Sequence, residues 1–600
     1  MKLRKMMVLM LVLLLTLTAC NSSNNEATNG TVEAAEAVDV DVTLDLVYMS
    51  TYGAKDATII KDQLEKIGIK VNLVQTPDYA TYKEKVSNGD FDIAYSGWTT
   101  VTGNPDYAVR SLFTADGDYN MSGINNAKVE ELILRAATET PDQYVKTYGE
   151  VEQILMDNAY IIPLYSNNKT QAYNKEILVP GPEHVRLSKS RSMVWEQFDY
   201  NDASMRDTQA LLLTQNSGNL TSLDPIKGND GSINMINTNQ YVRLVNLTDN
   251  DVVTSEGALS HAFAIADGNK DYYFILQDDI NFATLENGEA VDTGVLVAAE
   301  DVVYSMNRAK DKDSVPEHRT YTLHGNMENI SIVTDLSELE SVKTVDGKTI
   351  KSVLEADLSK PISSLVAGKD DVNNNSGKYQ VVKISTIEAF PQVLNFLAHQ
   401  SAGIVSADQV ASINDHGGIY GDQNEAVKDN HLFTSGPYIM SGKDDQAVYF
   451  QKNPAYMTGS DNEARIKNVE IKIIPDASAA VQALFSDEIH VLYSVPALHF
   501  EKVQEDPKLD IVEMASNSAR YVLFNLDEAY GKVTLDEDLR KAALNAIDPM
   551  PFIQIIESGR AVEITSTVTP LLTSLDGYVN VKKPTDTNKA LEFLKIFSEK

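Results

Sequence analysis

Residue types able to do chemistry are present in this chain, but they do not assemble into a catalytic set. Tyr95-Ser96-Gly97 lacks the leading glycine of a GxSxG turn, the strained bend that exposes a nucleophilic serine. Gly347-Lys348-Thr349 lacks the glycine five residues earlier that a phosphate-cradling loop needs. His318 and His324, or His416 and His431, follow no metal-ligand spacing, and the nine histidines are scattered as surface residues are. Asp116-Gly117-Asp118-Tyr119-Asn120 begins like a calcium loop, but Met121 stands where the glycine belongs and no glutamate closes it. The expectation is therefore no catalysis, no metal and no cofactor. What remains is binding chemistry: Ser96-Gly97-Trp98-Thr99-Thr100-Val101-Thr102-Gly103-Asn104-Pro105 sets one large aromatic among hydroxyls in a Gly/Pro-broken run. Trp98 in such a loop either covers a ligand or packs under its own loop.

Cys20 is the only cysteine, which excludes an internal disulfide, a CxxC redox pair and a thiolate zinc site. It follows Lys2, Arg4, Lys5 and an apolar run from Met6 to Leu17, the order of a secretory signal peptide. Even stretched to Ala19 the run is shorter than the roughly 18 residues a membrane span requires. Leu17-Thr18-Ala19-Cys20 resembles the lipobox of bacterial lipoproteins, in which the cysteine is lipidated and becomes the first residue. That resemblance implies a signal peptide over 1–19, then a lipidated Cys20 and a polar tether to residue 41. The tether would reach about 25 Å on average. The implied location is the extracytoplasmic face of the cell membrane, held by a lipid anchor. With 51 basic against 86 acidic side chains the formal charge is −35, a surface that repels polyphosphate, so nucleic acid is excluded as a partner. An apolar share of 43% in 600 residues supports several packed domains.

The elements that must position the loop are legible in the hydrophobic pattern. Leu44, Leu46 and Tyr48 alternate as a strand, and Ile60, Leu64 and Ile67 recur at helical spacing until Gly68. Val71 and Leu73 mark a second strand, Tyr79 to Val86 a second helix, and Phe91 to Tyr95 a third strand that empties into the loop. Strand–helix–strand–helix–strand predicts an α/β lobe with a parallel sheet, whose ligands bind outside the carboxyl ends of the strands. Amphipathic helices are predicted over 126–138 and 141–158, then a strand over 160–165. Residues 181–207 show no steady period and read as a connector running over the surface.

Further landmarks carry a family resemblance. They are Ser222-Leu223-Asp224-Pro225, Tyr272-Phe274-Leu276, and Ala298-Ala299-Glu300-Asp301-Val302-Val303-Tyr304-Ser305-Met306-Asn307-Arg308. Ser435-Gly436-Pro437-Tyr438, Lys452-Asn453-Pro454-Ala455-Tyr456, Ile474-Pro475-Asp476, Tyr521-Val522-Leu523-Phe524-Asn525 and Leu539-Arg540-Lys541-Ala542-Ala543-Leu544-Asn545-Ala546-Ile547-Asp548 follow in order. Together the chain resembles the bacterial extracellular solute-binding proteins of family 5, which serve oligopeptide, dipeptide and nickel ABC importers. The family's last third normally follows these landmarks; here Leu64-Glu65-Lys66-Ile67-Gly68-Ile69-Lys70-Val71, Asn88-Gly89-Asp90-Phe91-Asp92, Gly97-Trp98 and Ile162-Pro163-Leu164-Tyr165 precede them. A circular permutation explains the order economically, and a fusion of two fragments is the alternative.

The resemblance implies an α/β, two-lobe periplasmic-binding-protein-like fold (type II, cluster C) with an additional domain, circularly permuted. Lobe 2 would be 42–162 plus 520–600, lobe 1 would be 163–255 plus 400–519 with the connector at 181–207, and the extra domain 256–399. It implies Trp98, Thr99, Thr100, Ser435 and Gly436 as ligand contacts. In peptide-binding members an aspartate three residues past the loop tryptophan pairs with the ligand's ammonium; here that position is Val101, with Asp106 nearby as a substitute or as a plain turn residue. The implied partners are a peptide or other small-molecule ligand and the permease subunits of an ABC transporter, with the protein itself a monomer. A surface sensor or adhesin on the same fold, or an extracytoplasmic hydrolase, is the alternative.

Overall fold

A computed structural model describes residues 40–600 apart from 51–52, 118, 219, 414–419, 574 and 582; the leader, Cys20 and His416 lie outside the described residues. Strand β1 (Thr43–Met49) buries Leu44, Leu46, Val47, Tyr48 and Met49, a nearly continuous apolar run suited to a sheet covered on both faces. Helix α1 (Ala54–Lys66) lays Ile60 and Leu64 on that sheet and stops before Gly68, whose φ of 106° lies in the region a side chain disfavours. Strand β2 (Lys70–Thr76) pairs with β1 in parallel, Leu44 opposite Val71. Helix α2 (Tyr79–Ser87) is capped by Asp78, which accepts the Thr81 N–H at 2.8 Å. Strand β3 (Ile93–Thr99) joins β1 from the other side, also parallel.

The third strand runs four residues past its predicted end. Ser96 to Thr99 pair antiparallel with the strand Ser518–Phe524, Trp98 opposite Ala519. A partner strand more than four hundred residues away satisfies this main chain, so tertiary pairing overrides the local Gly and Ser content. Helix α3 (Pro105–Phe113) follows, which the sequence reading did not include, and then α4 (Ala127–Ala136) and α5 (Pro141–Asp157), close to the predicted bounds.

Strand β4 (Ile161–Asn174) is much longer than predicted because it serves two sheets' worth of partners. Its first half pairs with Ser518–Phe524, and its second half with Leu509–Ala515 and Val491–Tyr493. The chain therefore crosses twice between packed bodies, once on β4 and once on residues 509–524. At the crossing, Ser516 Oγ donates to the Asn167 carbonyl at 2.5 Å and Ser518 Oγ to Asn167 Oδ1 at 2.6 Å.

Three main cores flank this crossing. The first joins residues between 40 and 165 to residues between 519 and 594, so Leu44 and Leu46 share one apolar interior with Ala590 and Leu594. The second includes Tyr173, Trp195, Leu211, Tyr241, Tyr438 and Phe450. The third runs from Val242 to Ile404 with Tyr456 and Met457, and takes in Ala137. Strand β5 (Ala210–Gln215), helix α6 (Gly231–Gln240), the short strands β6 (Asn246–Leu247) and β7 (Val253–Thr254), and strands β8 (Ser260–Ile265) and β9 (Asp271–Leu276) lead from the second core into the third.

The connector departs from its expected surface course. Trp195 is fully buried, its ring edge-on to Phe450 at 4.9 Å and Tyr438 at 5.6 Å, and Met193, Phe198 and Tyr200 are buried around it. Irregular backbone has no period to read, yet four large apolar side chains supply ample area to bury.

Candidate functional site

The loop after β3 is held from within. Asn104 caps α3 by accepting the Asp106 N–H at 2.9 Å, and Pro105 takes the first helical position, where no N–H is needed. Thr100 is fully buried; its N–H donates to the Asn517 carbonyl at 3.2 Å and its carbonyl accepts from Ser190 Oγ at 3.0 Å. The Trp98 indole N–H donates to Thr100 Oγ1 at 3.1 Å, and its ring packs against Tyr107 at 5.2 Å and Tyr119 at 5.3 Å. Tyr107 in turn meets Phe396 of the third core at 6.4 Å.

Beside this loop, where the crossing strands meet the third core, lies a cavity of about 330 Å³. Gly103, Asn104 and Pro105 line it from the loop, Pro141 and Tyr144 from α5, and Asn517 from the crossing. Lys189 enters from the connector, Asp251 and Val252 from the β6–β7 turn, and Gln392 and Asn395 from the third core. The walls therefore come from segments far apart in the chain, between residues 103 and 575.

Asn517 ties those walls together. Its side-chain amide donates to Ser190 Oγ and to Asp251 Oδ2, both at 2.7 Å, while its carbonyl holds Thr100. Asn395 adds a bond from the third core to the Thr102 carbonyl at 3.0 Å. The connector is fixed to the same turn, with Arg191 donating to Asp249 at 2.9 Å and the Lys189 N–H to the Asp249 carbonyl at 3.0 Å.

Asp251 stands out on three counts. Its φ of 66° is left-handed, a strained backbone for a residue with a side chain. Its Oδ1 is shut off from solvent and has no hydrogen-bond partner. Burial pushes its carboxyl above the usual carboxylate range, against the downward pull of the Asn517 amide. The loop meets it only because residue 103 is glycine: a Cβ there would lie 2.7 Å from Asp251 Cβ and Cγ.

None of the six ligand contacts expected from the sequence lines the cavity. Trp98 and Thr100 brace the loop, and Thr99 ends β3 facing outward. Asp106 is fully buried and forked by Arg110 at 2.8 and 3.0 Å, so it is no free anchor for a ligand. Ser435 Oγ accepts the Val242 N–H at 3.1 Å and donates to the Ile404 carbonyl at 2.5 Å. Gly436 packs on backbone, where a Cβ would come within 2.5 Å of the Gln240 carbonyl carbon. Asp251 and Asn517 were missed; Thr248-Asp249-Asn250-Asp251 reads only as a polar turn, and Ser516-Asn517-Ser518 only as a break between strands. Among the described residues no three His, Cys, Asp or Glu side chains are grouped to hold a metal ion, and no helix is long and apolar enough to cross a membrane.

The model of the bacterial extracellular solute-binding proteins, family 5 Middle, matches residues 24–120 and 254–596. A probable D,D-dipeptide-binding periplasmic protein, DdpA, of Escherichia coli is 32% identical over 126 residues, 20% of this chain and 24% of its own. Heme-binding protein A of Haemophilus influenzae is 22% identical over 342 residues, 56% of this chain and 53% of its own. The chain thus spans about half or less of these relatives' lengths. The solved Helicobacter pylori binding protein DppA, in complex with the peptide STSA, is 17% identical with a TM-score of 0.44 over 65% of this chain and 66% of that one. The family match covers most of the chain: it belongs to the bacterial extracellular solute-binding proteins of family 5, which are binding proteins and not enzymes.

Proposed function

We propose that this protein captures a peptide or similar small solute in the cavity around Asn517 and delivers it to an ABC importer from the extracytoplasmic face of the membrane, anchored through a lipid on Cys20. The observation that carries the reading is the cavity's construction. A chamber walled by the β3 loop, the crossing residue Asn517 and the β6–β7 turn opens when those bodies swing apart and shuts when they meet. Its volume of about 330 Å³ lies at the small end of the roughly 300–1,000 Å³ typical of ligand pockets.

The lobes of this reading are 42–162 plus 520–600 and 163–255 plus 400–519, with 256–399 as the extra domain. A circularly permuted order is part of it. In its favour, β1 near the start and the helix Thr587–Ser598 at the end share one core, and Lys600 bonds to Asp536 at 2.7 Å within that body. The experiment is mass spectrometry of the solute released from the purified, folded protein, followed by calorimetric titration of that solute. A peptide that binds with one-to-one stoichiometry supports the reading. A protein that releases nothing and binds no peptide of two to six residues contradicts it.

A further inference from the structure

Helix α5 turns one acidic side chain inward. Glu152 is fully buried, and burial pushes its carboxyl above the usual carboxylate range while the hydroxyls around it pull it back down. Those hydroxyls all come from one later stretch of chain. Thr569 Oγ1 accepts the Thr565 and Ser566 N–H groups at 3.1 and 2.8 Å, so its own proton goes to Glu152 Oε1, 2.5 Å away. Ser566 Oγ likewise accepts the Val568 N–H at 3.1 Å and donates to the same oxygen at 2.7 Å. Thr565 adds a bond to Oε1 at 3.3 Å, and the Tyr578 hydroxyl donates to Oε2 at 3.1 Å. Backbone N–H groups thus fix the direction of the two short bonds, and the carboxylate dictates where this stretch lies on α5.

Both sides of that clamp reach the cavity. Tyr144 stands two turns before Glu152 on the same face of α5, with the buried Tyr148 between them, and lines the cavity. Leu571 shares the one-turn helix Thr569–Leu572 with the Thr569 donor and lines the cavity as well. Glu152 is not part of the lining, so whatever it does there it does through those two side chains. Resting on the solute-binding reading, we infer that Glu152 is a positioning residue that sets the spacing of Leu571 and Tyr144, and so gives the cavity its preference for a solute bearing a branched aliphatic group. A carboxylate accepts several hydrogen bonds at once, whereas a leucine at 152 would leave buried hydroxyls without an acceptor and release the stretch that carries Leu571. An apolar pocket held at fixed spacing resolves a single methylene by roughly 10–200-fold, so the three extra carbons of a leucine over an alanine are well within its reach.

The test titrates the purified full chain with trialanine and with alanyl-leucyl-alanine, and reads the ratio of the two affinities beside the thermal midpoint of the unliganded protein. Wild type should prefer the leucine peptide by about tenfold or more. Glu152→Leu should cut that preference below about threefold. Glu152→Gln should restore it to within about twofold of wild type, because the amide oxygen still accepts the Ser566 and Thr569 hydroxyls and the amide N–H donates to Tyr578. In a Leu571→Ala background, Glu152→Leu should change the ratio no further. Each ratio is taken within one protein, so a general loss of stability leaves it unmoved. If Glu152→Leu does not fold, Ser566→Ala, which removes a single donor, takes its place and should lower the preference at least about twofold. A midpoint that falls in these variants while the preference keeps its wild-type value overturns the inference, as does a further loss in the Leu571→Ala background or a wild type that binds both peptides equally. None of those results touches the solute-binding reading. A wild type that binds neither peptide contradicts that reading, and the inference with it.

Discussion

Arg308 forks Asp224 through two guanidinium N–H groups, at 2.9 and 2.5 Å, with both side chains buried and 84 positions apart in the chain. Asp224 belongs to the Ser-Leu-Asp-Pro segment ahead of α6, and Arg308 lies near the end of a helix α7 (Ala299–Lys310) packed in the third core. The Tyr420 ring covers the guanidinium at 5.6 Å, which removes water from the pair. The ion pair fastens the second core to the third.

Removing one partner should strand the other charge. Asp224→Asn or Arg308→Met should each destabilise by about 3–5 kcal/mol, and the double substitution by less than the sum. Urea denaturation of the four proteins in a cycle reads this directly. Additive losses would mean that the two side chains stabilise independently.

Trp195→Ala should behave as a core truncation, costing about 3–5 kcal/mol. Its indole is fully buried between Tyr438 and Phe450. A change below about 1 kcal/mol in the unfolding midpoint analysis would return residues 181–207 to the surface role their lack of period suggests.

Gly103→Ala should lower both stability and solute affinity. The position has φ 64°, and the added methyl would strike Asp251 of the adjoining β6–β7 turn, so loop and turn could no longer meet without strain. Titration with the solute and thermal unfolding without it separate the two effects. Unchanged affinity would mean that loop and turn need not meet for binding.

His490 gives a pH signature. Burial pushes its imidazole down to about 4, and Nδ1 accepts the Leu212 N–H at 3.2 Å, so the folded state holds it neutral. The unfolded chain protonates it near pH 6.5. The folded pKa is the depressed one, so this stability is complete above about pH 6.5 and is lost as pH falls toward 4, by up to about 1.4 kcal/mol per pH unit. The difference in unfolding free energy between wild type and His490→Asn, followed from pH 7.5 to 5, should shrink by that slope. A difference that stays flat would contradict the assignment.

The strand–helix alternation from Thr43 to Thr99 was well legible, because Leu44, Leu46, Ile60 and Leu64 repeat at periods that only one local structure satisfies. The sequence carried the family through short motifs spread over most of the chain. It did not carry the extension of β3 to Thr99 or the second half of β4, since both depend on strands hundreds of residues away. The site was least legible. Gly103, Asp251 and Asn517 are separated by more than a hundred residues each, and their meeting follows from how three bodies pack around two crossing strands. Trp98 drew attention by size and composition, and its ring is occupied by Tyr107 and Tyr119.

The central claim is that solute is enclosed where the bodies meet at Asn517. A crystal structure of the protein grown with its co-purified or titrated solute tests it most directly. Solute density is expected inside the cavity, against Asn104, Pro105 and Val252. Density on an outer surface, or an empty cavity in a protein that binds solute one to one in solution, would contradict it.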